Sequence, residues 1–211
     1  MNNIPKSSRH DEHSFADKKH VAGIILAAGG SSRLGVSKQL LTWRGRTFLE
    51  NVALASRNAG LSPVIVVTGE DFKQVLSLSY LFGAEVVRNP DWRSGQSSSM
   101  KAGIQQLGNR SQGAVFLMAD QPQVSVTLIC AIVESALFYE HDVISPIIDG
   151  HRTPPTYFSR RVFPQLLEVT GDQGGRALFS RFSPHQLAWL DLDMARDIDT
   201  LEDLNWLRSI E

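Results

Sequence analysis

Two cations and two carboxylates, far apart along the chain, have the types and surroundings to handle a polyphosphate. Arg33 and Lys38 close the stretch Leu26-Ala27-Ala28-Gly29-Gly30-Ser31-Ser32-Arg33-Leu34-Gly35-Val36-Ser37-Lys38. The apolar run Val21-Ala22-Gly23-Ile24-Ile25 precedes it and reads as a buried strand. A glycine-bearing loop at the carboxyl end of such a strand lets backbone N–H groups approach phosphate oxygens, because glycine has no side chain in the way. Arg33 would add a planar fork of donors and Lys38 a compact charge. Two common patterns are not matched. Gly30 and Gly35 have the separation of a P-loop, but Val36 stands where that motif needs lysine. Gly29 and Gly30 are adjacent, so the dinucleotide fingerprint G-x-G-x-x-G is absent there. A plain strand-to-helix turn with two surface cations is the alternative.

Asp120 ends the apolar run Ala114-Val115-Phe116-Leu117-Met118, with Pro122 close behind. A carboxylate at a buried strand's exit is well placed to hold a hard cation, and Mg²⁺ takes one or two such ligands alongside water and phosphate. Asp199 could be the second ligand, and Asp197 competes with it for that role. Each has a structural alternative. Asp120 could cap a helix starting near Ser125, and Asp199-Thr200-Leu201-Glu202-Asp203 reads as a helix start with acids in its first turn. Ser97, Ser98 and Ser99 also lie at a helix start, where one of them would serve as a cap.

Apolar strand-like runs at 21–27, 63–68, 84–88, 113–118 and 142–148 alternate with helical patterns at 47–59, 70–81, 97–107, 125–139, 159–168, 174–182 and 200–209. The β-α alternation predicts a mainly parallel sheet with helices on both faces, a single-domain doubly wound α/β fold. Residues 186–192 could add a late strand, and its pairing could be antiparallel. In such a sheet ligands bind at the carboxyl ends of the strands, where the strand order switches. Both the glycine loop and Asp120 follow strands at that edge.

The chain has 211 residues, 42% of them apolar, and a formal net charge of −1. One domain with a substantial core is expected from this length. The near-neutral charge gives no footprint for nucleic acid or an anionic membrane, and no apolar run reaches membrane-spanning length. Cys130, the single cysteine, cannot form an internal disulfide and is expected in the core. A cytoplasmic location follows as the expectation. Residues 1–20 are polar and lack an apolar segment, so a disordered tail is predicted before a domain at 21–211.

Four stretches resemble, in order, motifs of the MobA-like nucleotidyltransferase superfamily. The glycine loop is similar to its L-A-A-G-x-S-x-R-M-G-x-x-K, with Leu34 for Met. Asn89-Pro90-Asp91-Trp92-Arg93-Ser94-Gly95-Gln96-Ser97-Ser98-Ser99 is similar to its N-P-x-W-x-x-G-x-x-x-S. Met118-Ala119-Asp120-Gln121-Pro122 resembles G-D-x-P with Ala119 for Gly, and Asp197-Ile198-Asp199-Thr200 resembles the terminal D-I-D-T. The resemblance spans about residues 21–208. Gly171-Asp172-Gln173-Gly174-Gly175-Arg176 is most similar to the molybdenum cofactor cytidylyltransferase branch, which joins CMP from CTP to molybdopterin and releases pyrophosphate.

The resemblance implies a nucleotide-diphospho-sugar-transferase-like, Rossmann-type fold and a Mg²⁺-dependent transfer from CTP or another nucleoside triphosphate. Arg33, Lys38 and Asp120 would carry the chemistry. Leu26, Ala27, Ala28, Gly29, Gly30, Gly95 and Ser99 would contact the nucleotide, and Asp120 and Asp199 would hold the metal. Arg152, Asp172 and Arg176 would contact a molybdopterin-type acceptor, with a molybdenum hydroxylase as the candidate recipient of the product. That branch usually carries R-G-[NH]-P-V, where this chain has Arg152-Thr153-Pro154-Pro155-Thr156. Threonine resists backbone shapes open to glycine, and proline removes a donor, so the acceptor half departs from that branch's pattern. Tyr157 and Phe158 could line that half or belong to the core. A GTP-dependent or other phosphorylated-acceptor transferase, a non-catalytic cofactor-handling chaperone and an oxidoreductase are the alternatives.

Overall fold

The computed structural model describes residues 20–29 and 37–211. The predicted tail and the loop residues Gly30 and Arg33 lie outside the described residues. His20, assigned to the tail, is joined to the domain: its carbonyl accepts the Gln112 N–H at 3.0 Å.

β1 (Val21–Ala27) is buried along its whole length. A short 3₁₀ turn at Lys38–Leu40 leads into a two-stranded hairpin, β2 (Thr42–Trp43) and β3 (Arg46–Thr47). α1 (Phe48–Asn58) starts at a capping box, in which Thr47 Oγ1 accepts the Glu50 N–H and the Glu50 carboxylate accepts the Thr47 N–H. Next come β4 (Val64–Thr68), α2 (Phe72–Phe82), β5 (Glu85–Arg88), α3 (Gln96–Leu107) and β6 (Gly113–Met118). They are followed by α4 (Val126–Tyr139), β7 (Val143–Ile148), β8 (His151–Arg152) and β9 (Thr156–Ser159). The chain closes with α5 (Phe163–Glu168), α6 (Phe179–Phe182), β10 (His185–Ala188) and α7 (Leu201–Ser209).

The main sheet runs β10-β7-β9-β6-β1-β4-β5, with β8 appended to β7. β1 pairs parallel with β4 on one side and β6 on the other. The chain moves outward through β4 and β5, then returns across β1 to β6, so the strand order switches between β1 and β6. Side chains of β1 alternate between two cores. Ile25 and Ala27 enter a layer with Val52, Leu128 and Ile132, whereas Ile24 and Leu26 face Met100, Ile104 and Phe163. This period of two with both faces apolar marks a central strand covered by helices on both sides.

The structure departs from the sequence expectations in short elements. β9 runs antiparallel between β6 and β7. Its four residues set the buried Tyr157 and Phe158 between Thr156 and Ser159, too brief a stretch to show alternation. β10 pairs with β7 in parallel, not antiparallel. The helix expected at 159–168 begins as a 3₁₀ turn, and only Phe163–Glu168 is α-helical, with proline in its first turn. The pattern at 174–182 likewise splits into a 3₁₀ segment at Gly174–Leu178 and the single-turn α6. Cys130 is half-buried and packs against the first core cluster.

A third, smaller cluster joins the hairpin to the chain's end. Trp43 and Phe48 pack with Ile198, Leu204 and Leu207, and the Trp43 indole N–H donates to the Leu207 carbonyl at 3.0 Å. The C-terminal helix is thereby fixed beside the segment that carries Lys38.

Candidate nucleotide-transfer site

Lys38, Asp120 and Asp199 meet at the carboxyl edge of the sheet, beside the switch in strand order. Three local devices bring them there. Past β6, the Ala119 N–H still donates to the Leu26 carbonyl (3.1 Å), which holds Asp120 next to the exit of β1. The Ile198 N–H donates to the Asp120 carbonyl (3.2 Å) and draws the C-terminal segment onto the same loop. Finally, buried Gln39 donates to Asp71 at 2.8 Å and Ser37 bonds the same carboxylate, which anchors the segment bearing Lys38.

The α7 start fixes Asp199. Thr200, not Asp199, is the N-cap, and Asp203 closes a capping box with it. The Asp203 carboxylate also accepts the Asp199 N–H at 3.2 Å and bonds Arg196. Burial pushes the Asp203 carboxyl up, but the bonds from Thr200, Arg196 and the two backbone N–H groups outweigh it and bring it down to about 2. Similarly, Ser125 caps α4 with its own hydroxyl, so Asp120 is not used as a helix cap.

The Lys38 ammonium pairs with Asp199 and lies 3.9 Å from Asp120 Oδ2. The other Asp120 oxygen, Oδ1, is buried with no hydrogen-bond partner among the described residues. Burial, followed by the negative charge of Asp197, pushes the Asp120 carboxyl up to about 6, and Lys38 only partly offsets this. Asp197 is also raised, by protein surrounding its carboxylate and by the Asp199 charge, against the hydrogen bond from Gln121. An unpartnered buried oxygen in an acidic cluster is an unfavourable arrangement that a cation relieves. Among the described residues, no group of three or more His, Cys, Asp or Glu is arranged to hold a metal ion. Asp120 and Asp199 could each offer a carboxylate to a divalent cation, with water and substrate phosphate filling its other positions.

Two cavities flank this cluster. The smaller, about 80 Å³, is lined by Leu26, Ala27, Gly29, Lys38, Met118 and Asp120, among others. The larger, about 250 Å³, takes in Arg152 and Arg176, together with Gln121 and Asp197. Leu26 and Met118 border both and form their common wall. Ala28 is buried directly after β1.

Gly95, Ser99 and Asp172 line neither cavity. Gly95 sits at φ +111° as the N-cap of α3, which has no side-chain cap, so the serines lie inside the helix rather than capping it. A Cβ on Gly95 would fall 2.4 Å from the Gly171 carbonyl carbon and 2.8 Å from Asp172 Oδ1. The close approach there is to the 171–176 loop, and the Ser97 N–H donates to the Gly171 carbonyl at 3.1 Å. Ser99 is buried and receives the Asn89 side-chain amide at 3.0 Å. A Cβ on Gly174 would meet Gln96 Oε1 at 2.2 Å, so the loop that carries Arg176 is seated tightly on the start of α3. Gln121, Phe116, Phe179 and Met100 also line the larger cavity, and nothing in the local sequence marks them for it. An uncharged amide and scattered core-type residues carry no motif.

A doubly wound sheet with a lysine between two carboxylates at its switch point defines an α/β nucleotide-binding protein. The match to the MobA-like NTP transferase domain over residues 23–187 makes the family explicit, and the chain belongs to it. It is 32% identical to nicotine blue oxidoreductase of Paenarthrobacter nicotinovorans, covering 87% of this chain and 94% of that protein. It is 29% identical to a probable molybdenum cofactor guanylyltransferase of Bacillus cereus (strain G9842), over 63% of this chain and 64% of that one. Rv0371c of Mycobacterium tuberculosis H37Rv has the same fold, with a TM-score of 0.81 and 29% identity over 90% of this chain and 98% of that one. A second structure of Rv0371c is a complex with manganese. No helix among the described residues is long and apolar enough to cross a membrane.

Proposed function

We propose that this chain transfers CMP from CTP to the phosphate of a molybdopterin-type acceptor and releases pyrophosphate. The observation that carries nucleotidyl transfer is the convergence of Lys38, Asp120 and Asp199 on one point, with a buried Asp120 oxygen left unpartnered. Bound Mg²⁺ would neutralise phosphate charge at Asp120 and Asp199. The acceptor phosphate oxygen attacks the α-phosphorus, the bond from that phosphorus to the bridging oxygen breaks, and pyrophosphate leaves. The acceptor phosphate is already anionic near neutral pH, so positioning and charge neutralisation suffice without a general base. Lys38 supplies fixed charge at the α-phosphate. Arg33 and Gly30, outside the described residues, keep the β/γ-phosphate and backbone roles that the resemblance implies. Ala27, Ala28, Gly29 and Leu26 would face the nucleotide, Gly95 and Ser99 would support it from behind, and Arg152 and Arg176 would meet the acceptor. Asp172 would act through the loop that seats Arg176. A cytoplasmic protein passing its product to a molybdenum hydroxylase fits this chemistry.

Cytidine is favoured by the likeness of Gly171–Arg176 to the cytidylyl branch. The guanylyl relative supports GTP as the second choice. Incubation with molybdopterin, Mg²⁺ and each of CTP, GTP, UTP and ATP tests both, with pyrophosphate release expected to be fastest for CTP. Faster release with GTP would move the assignment to guanylyl transfer. Tight binding of cytidylylated cofactor without turnover would make the chain a carrier, and no release with any nucleotide would end the transferase assignment. An oxidoreductase would bind NAD(P)H, which the adjacent Gly29-Gly30 pair does not favour.

A further inference from the structure

The larger cavity offers one partly exposed aromatic ring, Phe179, backed by the buried Phe158 and Phe116. Phe116 meets Phe158 edge-on with centroids 5.7 Å apart, Phe158 stacks with Phe179 at 6.4 Å, and the Arg152 guanidinium lies 5.8 Å over Phe179. Met100 and Met118 also line the cavity and add polarisable sulfur. Aromatic faces and thioethers hold planar ligands by stacking and dispersion, with little demand on what the ring carries. The volume, about 250 Å³, suits a small fused ring rather than a macromolecule.

The edge of the ring must be read by polar groups, and one pair is built for it. Gln121 is 2% exposed, and its amide donates to Asp197 Oδ1 at 2.7 Å. The other Asp197 oxygen has no hydrogen-bond partner among the described residues, and Asp197 is exposed and lines the cavity. Lys38 pairs with Asp120 and Asp199, and its positive charge and that of Arg176 also act on the Asp197 carboxylate. Consecutive residues thus serve different cavities: Asp120 the smaller, Gln121 the larger. A carboxylate oriented by a buried amide, with acceptor capacity still open, selects for N–H donors.

We propose that Asp197, oriented by Gln121, is a specificity residue that accepts N–H donors from the edge of a planar nitrogen heterocycle held against Phe179, the partly exposed ring of the Phe116–Phe158–Phe179 set. The heterocycle's being the acceptor rests on the transfer function above, whereas the recognition chemistry does not depend on which nucleotide is used.

Pterin and 3-methylpterin are the probes, since they share a fluorescent ring and differ in one edge N–H. Titrated against the full chain, pterin should bind about tenfold or more tightly than its methylated analogue, the effect of a charge-assisted hydrogen bond. Asp197→Leu should bind the two alike, and Gln121→Leu should shrink the preference. Equal binding of both probes by the wild-type chain overturns the proposal, as does an Asp197→Leu variant that keeps the preference. The wild-type comparison decides the matter even if a variant fails to fold. Pyrophosphate release with molybdopterin but no preference between the probes would remove Asp197's role and leave the transferase standing. A tenfold preference with no release from any nucleotide would do the reverse.

Discussion

Replacing Asp120 with asparagine should make the protein inactive and, at neutral pH, more stable. The folded protein holds the Asp120 proton up to about pH 6, against an ordinary value of 3.8. An acid harder to ionise in the folded state weakens that state as pH rises between the two values, and the weakening is complete above the higher one. The difference corresponds to about 3 kcal/mol at 1.36 kcal/mol per pH unit. The side chain keeps a quarter of its surface in solvent, so about 2 kcal/mol is the better expectation. Asparagine mimics the uncharged carboxyl, removes the repulsion from Asp197 and forgoes the attraction to Lys38. Urea denaturation in EDTA at about pH 7.5 should show the variant more stable by that amount, with the gain vanishing toward about pH 4. Mg²⁺ should stabilise the wild type and not the variant. A variant no more stable than wild type at pH 7.5, or a gain equal at both pH values, would refute the account of this carboxylate. Pyrophosphate release by the variant should fall by roughly a thousandfold.

Two further substitutions probe the supports. Asp203→Ala opens the capping box and frees the backbone N–H of Asp199, so it should cost about 1–2 kcal/mol in thermal or chemical denaturation. Because the Asp203 carboxyl is held down at about 2, its stabilisation is present above the ordinary value of 3.8 and lost as pH falls through about 2. The deficit of the variant should narrow over that window. Gly95→Ala forces a Cβ into the Gly171 carbonyl at a positive φ, so a loss of about 2 kcal/mol or more is expected from denaturation. Nucleotide binding should be less affected than acceptor binding, since the displaced loop carries Arg176.

β1, β4, β6 and β7 are legible in the sequence because each is a mainly apolar run of five to seven residues between turn signals, whereas the parallel β10 is only His185-Gln186-Leu187-Ala188. β2, β3 and β8 are two residues long and β9 only four, too short to carry a period. α5 and α6 are brief because a proline and a glycine pair interrupt a pattern that otherwise looks helical. Asp120 stands out because charge at the end of an apolar run is locally anomalous, and Lys38 and Asp199 stand out through the glycine loop and the terminal motif that carry the resemblance. Gln121 does not, since an amide in a loop becomes informative only once Asp197, far along the chain, is seen against it. The third hydrophobic cluster was equally hidden, although it is what carries Asp199 to Lys38. Its residues look like ordinary helix-face apolar positions until the fold places Trp43 beside Leu207.

The reversed strand between β6 and β7 has a consequence for how such proteins diversify. Because β9 runs against its neighbours, its first residue reaches the ligand-bearing rim where a parallel strand would bring its last. The linker feeding it, Thr153–Pro155, can therefore change composition without disturbing the loops after β1 and β6. Substitutions confined to that short entrance would reshape the berth for one substrate while leaving the grip on the other intact.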